Sequence, residues 1–91
     1  MARVEGLIHQ SVNVGTSSTA VFGEDEVASF LLLQNTSDTD MYLSFSGNAA
    51  IGAGIYLRAG ANLLFDVVVP DAPLKAIHGG SGTKQLLVTR W

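Results

Sequence analysis

The sequence predicts an all-β domain, built as a single small β-sandwich or jelly-roll-like barrel of about seven or eight short antiparallel strands. Three observations carry this prediction. Runs of apolar, β-branched and aromatic residues recur with a turn signal about every eight to twelve residues. No segment combines helix caps with apolar residues at helical spacing. The 91 residues leave room for one hydrophobic core.

The N-terminal part of the chain is predicted to begin with residues 1–10 as an arm or first strand, ahead of a sandwich domain over residues 11–91. Residues 11–15, SVNVG, alternate polar residues with valine, as a half-buried strand does. Residues 19–22 are a short β-branched and aromatic run after a polar turn. The acidic residues 24–26 that follow indicate a second turn.

The centre of the domain is predicted from residues 27–45. Residues 27–35, VASFLLLQN, are apolar on both faces, and residues 41–46 alternate apolar with polar or tyrosine side chains. A polar segment without glycine, residues 36–40, joins them. We expect the two strands to pair as a hairpin with a longer loop. Its core side chains would be Leu31, Leu33, Met41, Leu43 and Phe45.

The second half of the chain repeats this pattern of short strands and turns. The glycine-rich residues 47–54, GNAAIGAG, are predicted to be a loop. Residues 79–83, GGSGT, are predicted to be a flexible turn. The remaining predicted strands are residues 55–57, 63–69, 74–78 and 84–91.

Two predicted strands, residues 27–35 and 63–69, are apolar on both faces, although a strand of a two-sheet sandwich normally shows the core only one face. Leaving the second faces in water would forgo about 1.5–3 kcal/mol for each large side chain. We therefore expect a homo-oligomer that buries them between subunits. The alternative is an N-terminal arm folded over one face. A tryptophan at the last position would fray unless docked, which adds it to the predicted interface. The predicted interface residues are Phe30, Leu32, Leu64, Val68 and Trp91.

Composition narrows the classes of function. Charged residues are 14% of the chain and the net charge is −3, so a phosphate backbone is not the expected partner. With no cysteine, the chain forms neither disulfides nor thiolate metal sites. No signal peptide or membrane-spanning run is recognisable, so we expect neither a membrane partner nor secretion.

No motif predicts catalysis, a metal or a cofactor, so the chain is not expected to be an enzyme. The acidic residues 24–26 could chelate a cation, but three successive carboxylates on a turn are more often a solvated surface. Asp38 and Asp40 have the spacing of a calcium loop but lack its remaining ligands. His78 precedes Gly79-Gly80, but the G-x-S-x-G elbow of a hydrolase is absent. Residues 79–84, GGSGTK, resemble part of a P-loop, but in a P-loop the lysine precedes the threonine, whereas here Lys84 follows Thr83. The sequon at Asn35 carries no weight without a signal peptide.

Three aromatic residues suggest that the chain could bind a sugar. Tyr42, Tyr56 and Trp91 could stack against a sugar, although aromatics on separate strands more often belong to a core or an interface. Carbohydrate binding therefore stays an alternative function.

A longer pattern runs through most of the chain. It comprises S-V-x-V-G-T-S-S-T, then L-L-x-Q-N-x-S-x-x-D-x-Y, then a glycine/alanine stretch with I-x-L-x-A-G, and S-G-T-x-x-L-x-V-T. These elements lie in residues 11–19, 31–42, 47–60 and 81–89. In this pattern the chain resembles small virion proteins of tailed bacteriophages that are encoded near the capsid genes.

The resemblance implies a non-enzymatic virion protein, made in the host cytoplasm and located on the capsid surface. It implies a capsid decoration (cement) protein that trimerises and clamps neighbouring copies of the major capsid protein. An alternative within virions is a tail, head-fibre or connector component.

Overall fold

The computed structural model describes residues 7–23, 30–66, 69–70 and 72–91. Within these ranges the chain forms eight β-strands and no helix. The strands are β1 (Ile8–Val14), β2 (Thr19–Phe22), β3 (Leu31–Asn35), β4 (Met41–Ser44), β5 (Ile55–Leu57), β6 (Asn62–Phe65), β7 (Leu74–His78) and β8 (Lys84–Arg90).

The strands form two antiparallel four-stranded sheets. Sheet A has the order β1-β8-β3-β6, and sheet B has the order β2-β7-β4-β5. Every connection except that from β4 to β5 leads from one sheet to the other. Eight strands divided in this order between two sheets form a jelly roll. The predicted fold class, an all-β sandwich or jelly-roll-like barrel, is confirmed.

The core lies between the sheets because each central strand turns alternate side chains inward. Sheet A contributes Leu31, Leu33, Leu86 and Val88, all at most 1% exposed. Opposite them on sheet B lie further buried side chains, among them Met41, Leu43, Leu74 and Ala76. At one end Phe45 packs against Phe22 of sheet B and Phe65 of sheet A, with ring centroids 6.4 and 5.8 Å apart. The predicted core residues Leu31, Leu33, Met41, Leu43 and Phe45 thus all contribute to this core.

The predicted hairpin of residues 27–35 and 41–46 is wrong. β3 pairs with β6 and β8, whereas β4 pairs with β5 and β7 in the other sheet. Residues 36–40 therefore form a corner between sheets. Alternation of apolar residues tells which side chains are buried, but it is the same for a hairpin and for two strands that face each other across a core.

Asn35 explains why the chain leaves sheet A at this corner. Its side chain is 1% exposed, and both its nitrogen and its oxygen form hydrogen bonds. Nδ2 donates to the carbonyls of Thr39 and Leu57 at 2.9 and 3.0 Å. Oδ1 accepts from the Ser37 backbone N–H at 3.1 Å and from the Ser37 hydroxyl at 2.6 Å. Because Leu57 belongs to sheet B, the amide ties the end of β3 to the opposite sheet.

His78 closes the corner between β7 and β8 in the same way. The imidazole is fully buried, and its Nδ1 accepts the Gly80 backbone N–H at 3.1 Å. Nε2 must then carry the proton, which it donates to the Gly82 carbonyl at 2.8 Å. The turn predicted at residues 79–83 is present, and like residues 36–40 it connects the two sheets.

Several predicted strand ends differ from the structure. The strand predicted over residues 41–46 ends at Ser44, and that predicted over 84–91 ends at Arg90. Of the predicted N-terminal arm, residues 1–6 lie outside the described residues. β1 begins at Ile8 and continues to Val14, so residues 8–10 extend the strand predicted from position 11. β6 ends at Phe65, and Asp66 already lies in a bend. Residues 67 and 68 lie outside the described residues.

Candidate interaction surface

The outer face of sheet A, here called the A face, combines five large apolar side chains with uncharged polar ones. The strand residues of this face and its paired residues Phe30 and Trp91 include no Asp, Glu, Lys or Arg. Asp66, directly after β6, lies in a bend and is exposed. Lys84 and Arg90 of β8 fall, by alternation, on the inner side of the sheet. The A-face residues are His9, Ser11, Asn13, Phe30, Leu32, Gln34, Asn62, Leu64, Gln85, Leu87, Thr89 and Trp91.

Four of the five predicted interface residues meet on the A face. Leu32 lies between Leu64 and Thr89 in the register of the sheet. Phe30 and Trp91 exchange backbone hydrogen bonds of 3.1 and 3.2 Å, which holds the terminal tryptophan in place. Leu64 is 50% exposed, and the other three are half-buried. Val68, the fifth predicted residue, lies outside the described residues.

Leu87 is an A-face residue that the sequence reasoning missed. It pairs with Gln34 on one side and Ser11 on the other, so it continues the apolar stripe toward β1. The alternation of β8 already contained the signal: Leu86 and Val88 are inward, so Leu87 must be outward. Only the pairing of β8 with β3 places it beside Gln34 and diagonal to Leu32.

Beside the apolar stripe the A face has a shallow depression of about 330 Å³. His9, Ser11, Gln34, Leu87 and Thr89 line it, together with Gln10 and Val88. His9 Nδ1 lies 3.0 Å from Thr89 Oγ1, which fixes the imidazole across the strand pair. The floor is apolar and its rim presents an amide, a hydroxyl and an imidazole. A sheet face with a half-exposed leucine and a neighbouring depression can pack against a complementary protein surface.

The outer face of sheet B, here called the B face, differs in its polar content. Tyr42 and Tyr56 pair across β4 and β5 with ring centroids 5.4 Å apart. The Tyr56 hydroxyl donates to Asp40 at 2.6 Å, and the Ala59 N–H donates to the same carboxylate at 2.9 Å. Lys75 donates to the Asn48 side chain at 3.1 Å. The remaining B-face residues are Ala20, Ser44 and Ile77.

These hydrogen bonds shift the titration of two surface groups. The Tyr56 hydroxyl, and secondly the Ala59 N–H, hold the pKa of Asp40 below its ordinary 3.8. The same Asp40 carboxylate raises the pKa of Tyr56 above 10.0, because the phenol keeps the proton that it donates. Near neutral pH the pair is thus a charged carboxylate bound to a neutral phenol.

The three aromatics considered for sugar stacking do not form one platform. Tyr42 and Tyr56 lie together on the B face, whereas Trp91 lies on the A face beside Phe30. A sugar ring resting on the tyrosine pair would therefore have to be bound without the tryptophan. Asp40, already bound by Tyr56, stands at the edge of that pair.

The acidic and histidine motifs have structural partners. Lys84 binds Asp38 at 3.0 Å and, with the Thr39 hydroxyl, holds the pKa of Asp38 below 3.8. Residues 24–26 lie outside the described residues. Among the residues that are described, no three His, Asp or Glu side chains stand close enough to share a metal ion. His78 is buried with both nitrogens bonded, and the Asn35 amide of the sequon is enclosed.

Many polar residues of the sequence pattern in residues 11–19, 31–42, 47–60 and 81–89 lie at corners of the fold. Gly15 N–H donates to Thr19 Oγ1 at 3.0 Å, and its carbonyl accepts from His78 N–H. Gly60, at φ +80°, donates its N–H to the Asn35 carbonyl at 2.7 Å. These contacts shape the turns of the jelly roll, so the pattern describes how the chain folds more directly than what it binds.

Comparison of the chain with family models, with curated proteins and with solved structures finds no match. Within the described residues no helix has the length and apolar character to cross a membrane.

Proposed function

We propose that this chain is a non-enzymatic structural protein of a virion, a capsid decoration protein that forms a homotrimer and stabilises contacts between copies of the major capsid protein. One observation carries the proposal: the apolar, uncharged A face, whose exposed side chains have no covering in the described part of the chain. Its partner surface is another protein, because a protein surface supplies apolar area without requiring paired charges.

Two further considerations support the virion role. Jelly rolls of eight strands occur repeatedly in viral capsid proteins, although they also occur in lectins, so the fold alone is an analogy. The sequence pattern of residues 11–19, 31–42, 47–60 and 81–89 resembles small phage virion proteins. A decoration protein gains avidity when several linked copies engage one site on a shell, which explains why a small domain of 9.6 kDa would assemble.

The solution mass and the effect of a charge on the A face test the trimer. Leu64 and Ile51 are equally exposed, at 50% and 52%, but only Leu64 lies on the A face. We expect wild-type chains to assemble in a multiple of three. Leu64→Asp or Phe30→Asp should reduce the assembled mass to one third, because each buries an aspartate in the contact. Ile51→Asp should leave it unchanged.

Light scattering measures these masses, and circular dichroism checks that each variant keeps its β-structure. A wild-type chain that is monomeric at micromolar concentration contradicts the proposal, as does an A-face variant of wild-type mass. Electron microscopy of the particle that carries this chain distinguishes a location on the capsid from one in the tail. Density over the shell agrees with decoration, whereas density only in the tail favours the tail or connector alternative.

Carbohydrate binding is the second candidate, and the Tyr42–Tyr56 pair on the B face favours it. Glycan-array binding that is lost on Tyr56→Ala, together with no association with capsids, would support it over the decoration role. The two candidates use opposite faces, so their variants do not overlap.

A further inference from the structure

The strand β1 is a long and regular sheet edge. All seven of its residues pair with β8 in unbroken register, from Ile8 opposite Arg90 to Val14 opposite Lys84. β1 ends the order of sheet A, so among the described residues nothing pairs with its other side. A row of backbone N–H and C=O groups on such an edge is a template for a further strand.

The other three edges are less available. β5 has three residues, and β6 has four. β2 has four residues and a register shift between Ala20 and Phe22, which breaks the regular spacing of its backbone groups. Proteins protect long edges with lysine, proline or a bulge, and β1, with the sequence IHQSVNV, contains none of these.

Side-chain exposure along β1 agrees with a missing partner. Ile8 is 47% exposed and Leu7, directly before it, is 43% exposed. His9, Gln10, Ser11 and Asn13 are exposed as well. Two of the large exposed apolar side chains of the described chain therefore stand at one end of an unpaired edge, where an added strand would cover them.

The sequence of β1 matches itself at five of its seven positions when it is read in the opposite direction. Antiparallel pairing of two β1 strands over all seven residues sets Ser11 opposite Ser11. Ile8 then meets Val14, and His9 meets Asn13, so residues at these positions face residues of their own kind, whereas Gln10 meets Val12. No charged residue is opposed, because β1 has none. A twofold axis through this contact makes both strands equivalent.

We propose that β1 is a docking edge for a second copy of this chain, paired antiparallel about a twofold axis at Ser11. Sheet A then continues across the axis as one eight-stranded sheet. The pairing uses the backbone edge of β1, whereas the side chains of His9, Ser11 and Asn13 lie on the A face. The inference therefore does not rest on the proposed virion role. With both contacts formed, the assembly contains six chains.

Charge at the axis tests the pairing. Ser11 is exposed, so Ser11→Lys should keep the fold, but it sets two lysines opposite each other. We expect Ser11→Lys and Ser11→Glu each to have half the wild-type mass. Their equimolar mixture should recover the full mass, because lysine then faces glutamate. Ile51→Lys adds the same charge at an exposed site away from β1 and the A face, and should keep the wild-type mass.

A cross-link tests the register directly. The chain contains no cysteine, so Ser11→Cys carries a single thiol. Oxidation should convert this variant almost completely into a disulfide-linked dimer, whereas Asn13→Cys should remain monomeric in denaturing gels. A Ser11→Lys variant of wild-type mass overturns the proposal, and so does a Lys–Glu mixture that stays at half mass. If only the A-face trimer fails, the wild-type chain is a dimer; if only β1 pairing fails, it is a trimer.

Discussion

The corners of this jelly roll and its A face differ in whether their side chains find partners within the same chain. At the corners, buried polar groups such as the Asn35 amide and the His78 imidazole find all their partners within the same chain. No buried side-chain nitrogen or oxygen of the described residues lacks a hydrogen bond. On the A face, apolar side chains such as Leu64 stand in the open. The corners are complete in one chain, whereas apolar side chains of the A face remain exposed in it.

We therefore expect one set of residues to determine the stability of a single chain and another set to determine its assembly. Substitutions in the core and at the corners should change the free energy of unfolding of one chain, because their partners are internal. Substitutions on the A face should leave that free energy nearly unchanged and should alter the assembled mass. Neighbouring residues of one strand can therefore give opposite phenotypes.

The largest effect on stability is expected at Leu33. Its side chain is fully buried in the core, so Leu33→Ala should lower the free energy of unfolding by about 2–5 kcal/mol. Leu32, the next residue toward the N-terminus, points to the A face and is half-buried. Leu32→Ala should lower the monomer stability by less than about 1 kcal/mol.

Urea unfolding at a protein concentration that keeps both variants in the same oligomeric state measures this contrast. An assembled wild type gains apparent stability from association, so each variant is also compared in the Phe30→Asp background. Equal losses at the two leucines would contradict the assignment of the two faces of β3.

A loss of intermediate size is expected at the corner of residues 36–40. Asn35→Ala removes the amide that binds the carbonyls of Thr39 and Leu57 and the N–H of Ser37. A buried polar group left without a hydrogen-bond partner costs about 1–3 kcal/mol, so we expect the free energy of unfolding to fall by that order. Asn35→Asp is the matched control: it keeps Oδ1 for Ser37 but replaces the donor to both carbonyls by an acceptor.

Thermal unfolding of the two Asn35 variants distinguishes the contributions of the amide. If the donor to Leu57 holds the sheets together, Asn35→Asp should be at least as unstable as Asn35→Ala. A fully stable Asn35→Asp would show that the corner depends on the Ser37 contact alone.

The sequence predicts the strands of this fold well because burial and turns leave local signals. The alternation of Leu31 and Leu33 with Leu32 identifies the inward face before any pairing is known. The pairing itself is not local. Whether residues 36–40 fold back or cross to the other sheet depends on the Leu57 carbonyl, which lies 22 residues from Asn35. The hairpin prediction failed at that long-range contact.

The same limit applies to the candidate surfaces. Phe30, Leu32 and Leu64 were predicted because two strands are apolar on both faces. Leu87 could not be joined to them, since only the β3–β8 pairing brings it beside Gln34. Tyr42, Tyr56 and Trp91 appeared equivalent in sequence, yet the crossing of the chain between sheets puts the tryptophan on the opposite face. Composition identifies surface-forming residues, and topology decides which of them share a surface.

The smallest effect on stability is expected at the surface contact of Asp40 with Tyr56. Like the contacts at the corners, it is formed within one chain. The pKa of Asp40 is lowered in the fold, so its contribution is fully present above the unfolded value of about 3.8 and is lost as the pH falls through the lower folded value. The pKa of Tyr56 is raised, so its contribution is present below 10.0 and is lost as the pH rises through the higher folded value.

Asp40→Asn should therefore lower the melting temperature at pH 7 by roughly one or two degrees, since an exposed contact is well screened by water. The difference from the wild type should shrink below pH 3.8, where the wild-type carboxyl also loses its charge. Tyr56→Phe keeps the ring on Tyr42 and removes only the hydroxyl, so its melting temperature should show the same dependence on acid. A difference that persists at pH 2 would show that the amide disturbs the Ala59 turn by shape, and that charge on Asp40 does not matter there.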